Sequence, residues 1–135
     1  MLKVFIACPY NQSDKSICYE QFAASTQVAC ALIKRNIAAY SPVTHNHSIT
    51  AQQSESCVPS SVWKSLRMQT LSFHSWADAL FVVDLPDVQE CAAIQEDIAL
   101  FRKAEKPVRF IDPNIFESQL DTLLDELMRS DSSRL

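Results

Sequence analysis

The chain has 135 residues, 47% of them hydrophobic, a net charge of −4 at pH 7, and no glycine. The acidic balance opposes binding to a nucleic-acid polymer, which needs clustered Lys and Arg to displace condensed counterions; the missing glycines rule out GxGxxG and P-loop phosphate cradles. No apolar run approaches the roughly 20 residues of a bilayer span, so no membrane partner is expected, and the length suits one domain with its own core.

Short apolar runs alternate with longer segments of helical period. Leu2 to Ala7 reads as a strand, with Lys3 inside an apolar stretch too short for a signal-peptide core. Ser16 to Arg35 follows as a covering helix with Phe22, Ala29, Leu32 and Ile33 on one stripe, and Ile37 to Tyr40 as a second strand. Thr44 to Ser61 is polar, rich in Ser and Gln and without period, and reads as a long connection able to fold over a site. Ser60 to Ala77 is helical and holds Trp63 and Trp76, which read mainly as packing residues; Ala79 to Val83 is the third strand.

Asp87 and Glu90 form a capping box opening a helix to Glu105, and Val108 to Ile111 is the fourth strand. Asp112 before Pro113 caps a last helix that runs to Arg129, leaving 130–135 as a frayed tail. This alternation predicts a single α/β domain over 1–135, Rossmann-like (flavodoxin-like), with three layers and a parallel sheet of four to five strands.

Five cysteines at positions 8, 18, 30, 57 and 91 are odd in number and lack CxxC pairs, which fits reduced thiols in a cytoplasm. In open α/β sheets ligands bind beyond the carboxyl ends of the strands. The residues to inspect there are Cys8-Pro9-Tyr10, the Ser41-Pro42 to His45 stretch, Asp84 to Asp87, and Asp112 to Asn114. Tyr10 and Asp84 are candidates for ligand contact, with strand termination as the alternative. His45 and His47 form an HxH that an extended chain would aim one way, but no further ligand sits at metal spacing, so substrate contact by His45 is favoured over metal binding, with a plain loop histidine as the alternative.

Projected at about 100° per residue, the fourth helical segment puts Ala93, Ile94, Ile98, Leu100, Phe101 and Ala104 on one side, with Asp97 inside that arc. A carboxylate there is either a paired structural group or a working one, because burial disfavours its charge. Glu96 falls on the opposite, solvated side near Lys103.

With these residues in hand, the chain resembles the nucleoside 2-deoxyribosyltransferase superfamily, in particular a small bacterial and phage branch related to deoxynucleotide N-glycosidases. Phe5-Ile6-Ala7-Cys8-Pro9-Tyr10, Ser41-Pro42-Val43-Thr44-His45-Asn46-His47, Asp78 to Val83 and Lys106 to Asp112 carry the resemblance over about residues 2–112. The family's helical motif Ser-x-Gly-x-x-x-Glu-Ile, whose glutamate attacks the anomeric carbon, falls here on Cys91, Ala93 and Asp97-Ile98, and the aspartate of the preceding helix falls on Gln69 or Thr70.

The resemblance implies N-glycosidic bond hydrolysis or deoxyribosyl transfer on a nucleoside or nucleotide, with no cofactor. Asp97 would be the nucleophile and Tyr10 its orienting partner, while Pro9, Pro42, His45, His47, Asp84 and Cys91 would line the substrate site. It also implies a homo-oligomer, at least a dimer. A phosphate, if bound, would rely on helix N-termini and hydroxyls such as Ser13, Ser16 or Ser60. The alternative is a noncatalytic nucleotide-sensing module that keeps the crevice without turnover.

Overall fold

A computed structural model of the chain describes residues 1–11, 13–51, 59–114 and 116–133. In order, the elements are β1 (Lys3–Ala7), α1 (Lys15–Lys34), β2 (Ala38–Tyr40), α2 (Pro42–Ala51), α3 (Ser60–Ser72), β3 (Ala79–Val83), α4 (Ala92–Lys103), β4 (Val108–Ile111) and α5 (Phe116–Ser133). The four strands pair in parallel in the order β2-β1-β3-β4, the expected Rossmann-like α/β arrangement.

Two core layers follow from strand alternation. Val4 and Ile6 of β1 and Phe81 of β3 pack with Val28 and Leu32 of α1 and Leu120 and Leu124 of α5. Phe5, Leu80 and Val82 point to the other face, against Ile94, Ile98 and Phe101 of α4. All five residues of β3 are buried, as a central parallel strand covered on both sides requires. Each large side chain in these layers contributes about 1.5–3 kcal/mol by leaving water.

Helix ends are closed without glycine. Asn36 (φ 60°) and Glu105 (φ 59°) take the left-handed position after α1 and α4. At α1 the Asn36 and Ile37 amides donate to Ile33 and Leu32, and at α4 the Glu105 and Lys106 amides donate to Arg102 and Phe101, two complete Schellman motifs.

Several sequence expectations need correction. Thr44 to Ala51 is helical, as part of α2, because Ser41 accepts from the Thr44 amide (3.2 Å) while Pro42 takes the first helical position; residues 52–58 lie outside the described residues. Asp87 does not open α4. It stands at φ 75° in a turn, and the helix starts only after Cys91, which supplies no side-chain cap. Asp112 accepts from the Asn114 amide (2.9 Å) in a turn ahead of α5, so Pro113 is not its first residue, and α5 runs to Ser133. α3 stops at Ser72, short of Ala77. Ile33 and Leu100 lie outside the packed stripes and are exposed. Among the described residues, no helix is long and apolar enough to cross a membrane.

Candidate functional site

Beyond the carboxyl ends of β1 and β2, a cavity of about 210 Å³ opens between α2, α3 and the start of α4. Ala7, Cys8 and Tyr10 reach it from β1 and its following turn, and Pro42, Val43 and Asn46 from α2. Trp63, Leu66, Arg67 and Thr70 come from α3, and Cys91, Ala93, Ile94 and Asp97 from α4. A larger, shallower hollow of about 590 Å³ between α1 and the start of α5 has no buried titratable group among its described lining residues, so the smaller cavity is the candidate site.

Asp97 is the only carboxylate in the described wall of that cavity and is just 4% exposed. It lies on the buried side of α4 beside Ile94, Ile98 and Phe101, as its helical phase requires. Arg67 Nη1 donates to its Oδ1 at 3.2 Å, and His74 Nε2 approaches the same oxygen at 2.8 Å, off the line of a well-formed hydrogen bond. The His74 ring is fixed edge-on between Phe5 (4.9 Å) and Phe101 (5.3 Å). Burial pushes the Asp97 carboxyl above its usual range, and the charges of Arg67 and His74 pull it part of the way back. Arg67 also contacts Glu96 Oε2 (3.2 Å) and the Ala93 carbonyl (3.4 Å), so it bridges α3 to α4.

Tyr10 forms another part of the wall. Its hydroxyl shares a 2.8 Å hydrogen bond with His47 Nδ1, and its ring lies 6.2 Å from that of Trp63. Burial, reinforced by Cys18, pushes the Tyr10 phenol up to about 12, so it stays protonated at neutral pH. His47 is stacked on Phe22, centroids 4.1 Å apart, which holds the imidazole in plane. Cys8 is buried, and burial together with nearby Cys91 pushes its thiol up to about 12.

The structure thus gathers Tyr10, Pro42, Cys91 and Asp97 from the expected set around one cavity. Pro9 is buried but lies outside the wall. His45 and His47 stand two positions apart on a helix, about 200° around it, and so do not aim together. His45 is exposed and bonds Asn46 (2.8 Å), while His47 touches the cavity only through Tyr10. Asp84 is exposed, its amide tied to the Ile111 carbonyl (2.8 Å), and it is not in the wall. Of the two positions weighed on α3, Thr70 lines the cavity and Gln69 is exposed.

Arg67 and His74 were not among the sequence candidates. An arginine on an amphipathic helix gives no sign of its partner, and the Asp97 contacts span 30 residues of chain on the Arg67 side. Among the described residues, no group of three or more His, Cys, Asp or Glu is arranged to hold a metal ion.

No curated protein matches the chain. A family model described as Domain of unknown function (DUF1937) matches residues 2–112, and the chain belongs to that family.

Proposed function

We propose that the chain binds a nucleoside or nucleotide in this cavity and breaks its N-glycosidic bond, with Asp97 as the attacking carboxylate. One observation carries the reading: a buried carboxylate, costly to keep charged, lines the cavity at the strand ends and is held by a guanidinium and an imidazole on one oxygen. In such a step a carboxylate oxygen bonds to C1′ while the C1′–N bond breaks and its electron pair leaves with the base. The departing base takes its proton from water. Water or an acceptor base then attacks C1′ and frees the carboxylate.

Arg67 and His74 oppose the desolvation of Asp97 and so favour its charged, nucleophilic form. Tyr10, held by His47 and protonated at neutral pH, lines the same cavity as Asp97 and orients the bound sugar there. Trp63 offers a flat apolar surface for a base. The resemblance in the strand-end motifs and at Asp97-Ile98 supports the same chemistry.

A second reading, a noncatalytic binding module, is favoured by the pairing of Asp97 with Arg67 and His74. Chromatography of purified protein incubated with nucleosides, 2′-deoxynucleosides and their monophosphates, paired with thermal shift, separates the two. Free base supports cleavage. Thermal stabilisation without base supports the module, since binding the native state alone raises apparent stability.

A further inference from the structure

Building on the proposed nucleoside-type site, we infer that it takes the uncharged nucleoside in preference to its 5′-monophosphate, and that Glu96 sets this preference by occupying Arg67. Arg67 is the only cation in the described wall of the cavity. Its guanidinium is committed to acceptors already on the chain: Nη1 to Asp97, and Nη2 to Glu96 and the Ala93 carbonyl. Together Arg67, Asp97 and Glu96 carry a formal charge of −1 when both carboxylates are ionised. A phosphate dianion entering the cavity therefore meets net repulsion and finds its one basic partner taken.

Among the described residues, the other routes to an anion site are closed or weak. The first-turn amides of α1, Ser16 and Ile17, already donate to Asp14 Oδ1 at 3.0 and 3.1 Å, so a carboxylate occupies the place a phosphate would use. The Ser13 amide and hydroxyl both turn to Asn11 Oδ1. Residues 52–58, which follow α2, contain Glu55 and no lysine or arginine. The starts of α3 and α4 are free of a side-chain cap, but the fractional dipole charge at each does not outweigh the net charge of −1 on Arg67, Asp97 and Glu96, and their neutral amides suit a sugar hydroxyl equally.

Isothermal titration of the full chain with 2′-deoxynucleosides and their 5′-monophosphates, with base release measured on the same pairs, tests this. The expected result is at least about tenfold preference for the deoxynucleoside, narrowing in 1 M salt, where charge repulsion is screened to about 3 Å. Glu96→Gln, a substitution at an exposed side chain, is expected to narrow the preference by at least about threefold. Equal or better use of the monophosphate overturns the inference while leaving the proposed cleavage intact. A preference unmoved by salt or by Glu96→Gln overturns its electrostatic cause. Binding of neither class overturns the inference together with the proposed function.

Discussion

Arg67 Nη1 on α3 meets Asp97 Oδ1 on α4 at 3.2 Å, and this contact ties the third helix to the floor of the cavity. Removing one partner of such a pair strands the other in a desolvated place. Arg67→Met, which keeps the aliphatic reach, is expected to cost about 2–3 kcal/mol, below the full figure for a buried pair because the arginine is partly exposed. Combining it with Asp97→Asn should recover much of that loss in urea denaturation. An unchanged midpoint in the single variant would mean the pair contributes nothing.

Asp97 itself should be a stability liability at neutral pH. Its folded carboxyl lies above the usual 3.8, so between the unfolded and folded values the folded protein holds a proton that the unfolded chain has released. The stability linked to this proton is complete below the ordinary carboxylate value and is lost as pH rises through the raised folded value. The melting temperature of Asp97→Asn relative to wild type is therefore expected to rise between about pH 4 and pH 7. A difference that stays flat or falls across that window would refute the direction of the shift.

Much of this architecture is legible in the sequence. Val4 to Ala7 and Ala79 to Val83 lie among runs of β-forming residues, and their burial on both faces follows from helices before and after them. Asp97 stood out because helical phase alone puts it among apolar neighbours. Two things stayed hidden for different physical reasons. Short-range chemistry was misread where Ser41-Pro42 opens α2 within a polar stretch, since composition masked a cap. Long-range pairing was not readable at all: His74 and Asp97 meet only because Phe5 and Phe101 hold the ring in place.

A chain without glycine closes its helices with residues that resist the left-handed region. Glu105→Gly removes the Cβ clash at φ 59° and is expected to stabilise by about 0.5–1 kcal/mol. Asn36→Gly should gain less, because asparagine tolerates that region better. Chemical denaturation of both variants checks this, and a loss of stability in Glu105→Gly would contradict it.

Thiol chemistry should separate the cysteines sharply. Cys8 is buried with its thiol pushed up to about 12, whereas Cys30 is exposed. An alkylating reagent at pH 8 is expected to label Cys30 in the native protein and to reach Cys8 only after unfolding, because the thiolate is the reacting form. Peptide mapping by mass spectrometry reads both sites, and rapid native labelling of Cys8 would overturn its placement in the core.

The most direct test of the central claim is the rate of free-base release from 2′-deoxynucleosides by wild type and by Asp97→Asn, which keeps the side-chain shape and removes the charge. The proposed chemistry predicts release by wild type and a fall of at least about a thousandfold in the variant, on the scale seen when a covalent nucleophile is removed. Release at equal rates from both proteins, or none from wild type, would contradict Asp97 as the nucleophile.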